Sequence, residues 1–348
     1  MKQDFPSSHP AVAGFHRRSG RLAAAAAVGI AAACFGCKPS PGPTTTSAES
    51  KDALSTTGVD TPALASTAST IDIDGLEAAG VVVKQTGQRV TQLDFRGATP
   101  DAELIDAVEQ SPDLTHVRFA PAWNAVLDGD VAQRLLRSLA QQKSLKVLAI
   151  DGLRLGDSPT ARVLVQLPNL VELYAGQSDV GQECVAAIAA MPLRKLRLSA
   201  TQIDGRNVET LSTIASLIEI DCSGCRRLRD DLGPSLEKMS RLEKLNLYDT
   251  GIGDNTVRRG IATLANLRWL NLDRTAITDA SLSSLAQLPS LTFAHLGSTA
   301  ITDSAVDPLA SITAIERLIV TRTHMTSEGA ERLRSALPST QVDWAPKP

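Results

Sequence analysis

Residues Leu267–Ser290 read LRWLNLDRTAITDASLSSLAQLPS. The segment opens with Leu267, Leu270 and Leu272 in the pattern L-x-x-L-x-L. Leu270 and Leu272 alternate as the inward residues of a strand do. Thr275, Ile277 and Asp279 follow as T-x-I-T-D, and Leu282, Leu285 and Leu288 then stand three apart, the spacing of a short helix. Asp279 occupies the place of a helix N-cap, where a carboxylate accepts from the free N–H groups of the first turn. Such a unit has an apolar side and nothing of its own to bury it against, so it requires copies of itself.

The copies are present. The first position of the unit recurs at Val90, Leu114, Leu145, Leu170, Leu193, Leu217, Leu242, Leu267, Leu291 and Ile315, in steps of 24, 31, 25, 23, 24, 25, 25, 24 and 24 residues. The fourth and sixth positions stay apolar, as in Leu173 and Ala175, Leu196 and Leu198, Leu245 and Leu247, and Leu318 and Val320. The ninth is small and mostly hydroxylic: Ser178, Thr201, Cys225, Thr250, Thr275, Thr299 and Thr323. A period between 20 and 29 residues is the signature of a solenoid.

At these residues, over about Leu76 to Trp344, the chain resembles the leucine-rich-repeat family, and within it bacterial repeats of the form L-x-x-L-x-L-x-x-T-x-[IV]-T-D, related to the cysteine-containing and ribonuclease-inhibitor-like subfamilies. The resemblance implies an α/β fold: a horseshoe-shaped solenoid of about ten repeats, with a parallel inner sheet and short outer helices. Other subfamilies put asparagine where this chain has threonine, and that asparagine bonds to backbone inside the turn. A threonine hydroxyl both donates and accepts, so it can take the same place. Ala98, Ala122 and Leu153 depart from the pattern, and irregular turns are expected at those copies.

Net charge is −3, too small a field to point to nucleic acid or to an acidic membrane. Residues 1–37 lie outside the repeat. Lys2, Arg17, Arg18 and Arg21 precede an alanine-rich apolar run, Leu22–Phe35, shorter than the roughly 20 residues a membrane span needs. This order of charge and apolarity reads as a secretory signal. It ends at Gly36-Cys37, which resembles a bacterial lipobox with Cys37 as the acylated residue; Cys34 is the rival acceptor. Two acyl chains suffice for stable membrane anchoring. Residues 38–70 hold eight Thr, six Ser and four Pro, too few apolar residues to offset ordering entropy, and read as a disordered tether.

The expected repeat domain spans 71–344. Residues 71–95 are expected to cap its N-terminus with a short helix and a hairpin around Gln85-Thr86-Gly87. Repeats occupy 90–340, and 341–344 form a closing strand with Val342 and Trp344. The long copy beginning at Leu114 carries its extra residues around Ala120–Asp130. There Trp123 is read as a local plug, with an exposed binding aromatic as the alternative. Asp128 and Asp130 are too few carboxylates for calcium.

Cys222-x-x-Cys225 is compatible with a redox motif or half a zinc site. The repeat accounts for it without chemistry, because Cys222 takes the position of Leu247 and Leu272, and Cys225 that of Thr250 and Thr275. No second pair has metal-ligand spacing, and His116, His295 and His324 fall in different copies. There is no Walker loop, H-E-x-x-H or G-x-S-x-G. The reading is a non-enzyme with neither cofactor nor metal.

The outward positions three, five, seven and eight remain. Like positions on consecutive parallel strands lie side by side, so Trp269 and Phe293 are expected to be neighbours, with Tyr248 and His295 near. The candidate partner-binding residues are Tyr248, Trp269, Asn271, Arg274, Phe293, His295 and Arg317, since aromatics and arginine dominate interface hot spots. The bland alternative is that Trp269 merely covers Phe293. A second strip, Glu172, Tyr174, Lys195, Arg197, Glu219 and Asp221, alternates in charge and reads as a solvated face with cross-strand ion pairs. With the family resemblance, these readings imply an exported, membrane-anchored lipoprotein of the cell envelope that binds an unknown protein through its concave face. Envelope carbohydrate or cell-wall adhesion, and a purely structural envelope role, are the alternatives.

Overall fold

A computed structural model describes residues 71–347. The signal and lipobox reading (1–37, with Cys37 and Cys34) and the tether (38–70) lie outside the described residues. A short helix, Ile73–Ala78, is capped by Asp72, whose carboxylate accepts from the Gly75 N–H at 3.0 Å. It leads into an antiparallel hairpin of β1 (Val82–Thr86) and β2 (Arg89–Asp94). Ten short strands follow: β3 (His116–Arg118), β4 (Val147–Ala149), β5 (Glu172–Tyr174), β6 (Lys195–Arg197), β7 (Glu219–Asp221), β8 (Lys244–Asn246), β9 (Trp269–Asn271), β10 (Phe293–His295), β11 (Arg317–Ile319) and β12 (Gln341–Asp343). From β2 onward every pairing is parallel, and the strands lie in sequence order in one sheet. Each strand returns through α or 3-10 turns, so this is an α/β leucine-rich-repeat solenoid.

The register aligns like positions. Leu173, Leu196, Ile220, Leu245, Leu270, Ala294 and Leu318 form one continuous row, each 2% exposed or less. The sixth position, two residues on, faces the same core: Leu198, Leu247, Leu272, Leu296 and Val320 are all buried.

The sheet ladder continues past the three-residue strands. The sixth-position N–H donates to the fifth-position carbonyl of the next copy, as from Leu247 to Asn271 and Leu272 to His295. The eighth-position N–H donates to the next seventh-position carbonyl, as from Asp249 to Asp273 and Arg274 to Gly297. To aim that N–H, the eighth residue takes a left-handed conformation in every copy from the third onward. Gly152, Gln177, Ala200, Gly224, Asp249, Arg274, Ser298 and Arg322 have φ between +51° and +74°. The ninth-position hydroxyl then donates to the sixth-position carbonyl. Thr201, Thr250, Thr275, Thr299 and Thr323 do so at 2.6–3.0 Å.

Two expectations change. The turn at Leu153 is regular, while that at Ala98 departs only at its eighth residue, Gly97, which lacks the left-handed φ of the later copies. Leu153 N–H still reaches the Ile150 carbonyl at 3.1 Å and Ala98 that of Phe95 at 3.2 Å, because the backbone bond needs no side chain. The most irregular copy is that of Ala122, where Pro121 stands in the eighth position and has no N–H to continue the ladder. Asn124 replaces the missing bond, donating its amide to the Gly152 carbonyl and accepting from the Arg154 N–H.

Nor is Asp279 the helix N-cap. Thr278, extended at φ −128°, caps the 3-10 turn Asp279–Ser281 by accepting from the Ala280 N–H at 3.2 Å. The turn starts one residue earlier than the pattern suggested, which frees the Asp279 carboxylate to reach the next copy. There it accepts from the Thr302 N–H at 2.9 Å and the Thr302 hydroxyl at 2.6 Å. Asp254 does the same to Thr278, and Asp303 to Thr326. Asp157 and Asp230 go further, accepting from three N–H groups each at the start of the following helix.

Trp123 is the plug. It is fully buried, its indole N–H donates to the Phe95 carbonyl at 2.9 Å, and its ring stands edge-on against the stacked pair Phe95–Phe119. Cys184, Cys222 and Cys225 are buried and free. Cys225 fills the threonine position, but its thiol donates across to the Leu198 carbonyl of the preceding copy at 3.0 Å.

Candidate functional site

The outward face of the sheet divides into two regions of different character. Along β5–β8 the third-position row reads Glu172, Lys195, Glu219, Lys244. Lys195 pairs with Glu172 at 2.9 Å and Lys244 with Glu219 at 3.8 Å. In the fifth- and seventh-position rows, Arg197 lies 3.4 Å from Asp151, 3.7 Å from Asp221, and over the Tyr174 ring. Burial pushes the Glu172 carboxyl up, but hydrogen bonds from Lys195 and Tyr174 outweigh it and hold the carboxyl below its usual range. Burial dominates at Asp151 and raises it. This strip is internally compensated, as its alternating charges implied.

Along β8–β12 the pattern changes. The same row continues as Trp269, Phe293 and Arg317. The Trp269 and Phe293 rings are stacked, with centroids 5.2 Å apart and planes 2° from parallel. Both are half-buried and stand on strands about 4.8 Å apart, so each covers one face of the other. Arg317 is held by Asp343 on β12, through Nε and Nη2 at 2.9 Å.

In the fifth-position row Asn271 lies beside His295. The Asn271 side-chain oxygen accepts from the Asp273 N–H at 3.0 Å, which commits it to the turn. Burial lowers the His295 pKa; the Asp273 carboxylate opposes this, and the charges of Arg322 and Arg317 add to it. His295 Nε2 lies 3.8 Å from Asp273 Oδ2. Asp273 is 4% exposed, and its Oδ1 has no hydrogen-bond partner. Gly297 in the next copy leaves room for this arrangement: a Cβ there would lie 3.1 Å from His295 Nε2 and 2.9 Å from the Thr321 carbonyl oxygen.

Tyr248 and Arg274 form a separate contact, the guanidinium 5.8 Å from the ring centroid. Tyr248 is in the seventh-position row, about 13 Å along the strand direction from the Trp269–Phe293 row. The structure therefore brings the seven candidates together as two groups. Trp269, Phe293, Arg317, Asn271 and His295 make one, and Tyr248 with Arg274 the other, with Asp273 and the exposed Arg322 at the rim between β9 and β11. The bare Gly297 beside Asp273 was the sequence signal for its burial, since Asp151 and Gly176 repeat the arrangement five copies earlier, there with a 2.8 Å hydrogen bond from the Gly176 N–H. Among the described residues, no helix is long and apolar enough to cross a membrane and no group of three or more potential metal ligands is gathered.

No family model matches the chain, and no curated protein does. Solved structures do. An internalin (inlF) from Listeria monocytogenes is 18% identical with a TM-score of 0.51, over 76% of this chain and 87% of that one. Internalin C2 from the same organism is 19% identical with a TM-score of 0.47, over 60% and 84%. A leucine-rich-repeat protein from Leptospira interrogans is 15% identical with a TM-score of 0.42, over 71% and 81%. At these identities the likeness concerns the fold alone: a leucine-rich-repeat solenoid.

Proposed function

We propose that this protein captures another protein on the outward, concave face of its sheet, at the strip formed by Trp269, Phe293, His295, Arg317, Tyr248 and Arg274, and that it has no catalytic role. One observation carries the reading: charge compensation and apolar exposure change together along one sheet. The first strip neutralises itself through cross-strand pairs, whereas the second presents a stacked aromatic pair with arginines beside it. Stacked aromatics and arginine supply large contact area at low entropic cost. A leucine-rich-repeat solenoid holds them on a rigid sheet, which suits protein recognition. Sugar adhesion is less well supported, because a sugar ring lies flat on a free aromatic face and Trp269 and Phe293 spend one face each on the other.

The order of charge and apolarity in residues 1–37 supports a cell-envelope location for this activity, with Cys37 as the lipid-bearing residue. Intact mass of the protein from its native membrane fraction tests that part. A chain beginning at Cys37 with added acyl mass supports it, and an unmodified chain beginning at Met1 in the soluble fraction contradicts it. For the binding strip, the immobilised protein and its Trp269→Ala/Phe293→Ala variant are exposed to envelope extract. A protein retained by the first and lost from the second supports the reading. Equal retention by both removes the strip from it.

A further inference from the structure

The arginines at the rim of this strip differ from the cations on the outward face of β5–β8 and from Arg317. Lys195, Arg197 and Lys244 all have carboxylates opposite them, and Arg317 has Asp343. Arg274 and Arg322 have none. Among the described residues neither forms an ion pair; Arg274 rests on the Tyr248 ring, and the Arg322 backbone N–H is used by the Ala345 carbonyl. Both side chains are exposed. They occupy the same eighth position two copies apart, roughly 10 Å across the strands, with only Ser298 between them. Both also hold the left-handed conformation, φ +58° in each, where glycine is favoured and where Gly152 and Gly224 stand in other copies. Asp273 is the one nearby carboxylate without a cation, and it is buried and turned toward His295.

We infer that the segment of partner protein received here is acidic: its carboxylates lie on Arg274 and Arg322, and an apolar side chain of the same segment lies against the exposed edges of Trp269 and Phe293. This rests on the protein-capture reading above and specifies its chemistry. The aromatic row and the arginine row are separated by five positions, so about four residues of extended chain divide the apolar residue from the acidic pair. Guanidinium groups suit this task, since they bind carboxylates through paired N–H donors and stay charged at every working pH.

The left-handed backbone at these two positions supplies a clean test. Glycine is the residue best suited to that conformation, so Arg274→Gly with Arg322→Gly removes both charges while the fold keeps its thermal midpoint. The probe is a fluorescein-labelled short peptide with one leucine and, about four residues on, two glutamates, titrated by fluorescence anisotropy as sodium chloride is raised. The glutamate peptide should bind, more weakly as salt rises. The double glycine variant should bind it at least about tenfold more weakly, the effect of losing one charge-assisted hydrogen bond. A peptide with lysines in place of the glutamates should not bind. Equal binding of the two peptides, unchanged binding by the glycine variant, no binding of the glutamate peptide, or equally arginine-dependent binding of polygalacturonate would each overturn the inference. The two failures are distinct. Loss of the extract partner on Trp269→Ala/Phe293→Ala but not on the double glycine variant leaves protein capture standing and removes only the acidic segment.

Discussion

The carboxylate of Asp279 does not serve its own helical turn; it holds Thr302, 23 residues later, by both its N–H and its hydroxyl. Asp254 and Asp303 make the equivalent bonds to Thr278 and Thr326, so the last repeats are stitched together on the side away from the sheet ladder. Hydrogen bonds to a charged group contribute about 1.5–3 kcal/mol. Asp279→Ala is therefore expected to destabilise the domain by about 1–3 kcal/mol, more than the loss of one partly exposed cap. Thr278→Ala should cost a comparable amount, because it removes a cap and the acceptor's partner in the previous copy. Urea unfolding followed by circular dichroism measures both. A cost for Asp279→Ala near zero would contradict the inter-repeat role.

Trp123 seals the inserted loop by packing on Phe95 and Phe119 and by donating to the Phe95 carbonyl. Trp123→Ala should cost about 3–5 kcal/mol, as large buried aromatics do. Trp123→Phe keeps most of the packing and leaves one buried carbonyl without its donor, so it should cost about 1–3 kcal/mol. Leu272→Ala, in the middle of the core, should fall within about 2–5 kcal/mol. Thermal or urea melts of the three variants place them against each other.

The left-handed eighth position predicts an unusual pattern of substitution. Ser298→Gly should be neutral or stabilising by up to about 1 kcal/mol, since glycine adopts φ +51° without strain. Gly224→Val should destabilise by more than that, because a β-branched residue at φ +69° is strongly disfavoured. If both changes had the same effect, the backbone reading of the turn would be wrong.

Acid stability should fall in two stages. Burial lowers the pKa of His295 and of His116 from the ordinary 6.5, so both stay neutral in the folded protein while the unfolded chain takes up protons. Their contribution is full above about pH 6.5 and is lost as pH falls below it. Hydrogen bonds from Thr326 hold the Asp303 carboxyl below its usual range. At Asp157 and Asp230 burial pushes upward, but bonds from the following helix outweigh it. These carboxylates contribute above about pH 4, and the contribution disappears as pH falls through their lowered values. His295→Asn should flatten the first stage and Asp303→Asn the second, read as urea midpoints across the pH range.

Cys222 and Cys225 should behave as core residues. Burial raises both thiols above the ordinary value, so neither should react with iodoacetamide in the folded protein near neutral pH. Cys225→Thr should be tolerated, since threonine fills this position in the neighbouring copies and donates to the carbonyl three residues before it. Rapid alkylation of the native protein would contradict this packing.

The regular spacing of Leu267, Leu270 and Leu272 and of their counterparts was enough to read the solenoid, its parallel sheet and the contact of Trp269 with Phe293, because each follows from periodicity alone. Other features depend on where the backbone turns. The left-handed row was hidden because Gln177, Ala200, Asp249, Arg274, Ser298 and Arg322 share a conformation but no chemistry. Asp279 misled because a carboxylate at the start of a helix has two sets of N–H groups within reach, one of them a full repeat away. Tyr248 was placed too close to Trp269, since both face outward but four residues of strand separate their rows. The burial of Asp273 depends on its neighbour Gly297, a relation between copies that no single copy displays.

The most direct test of the central claim is photo-crosslinking from the sheet face. A benzophenone amino acid replaces Phe293, beside Trp269, and in a second protein replaces Val165, an exposed residue after an outer helix. Irradiated in native envelope extract, the first should yield one dominant adduct with a protein whose crosslinked peptide carries carboxylates about four residues from an apolar side chain; the second should not. No adduct at Phe293, or the same adducts at both positions, would contradict a binding strip on this face.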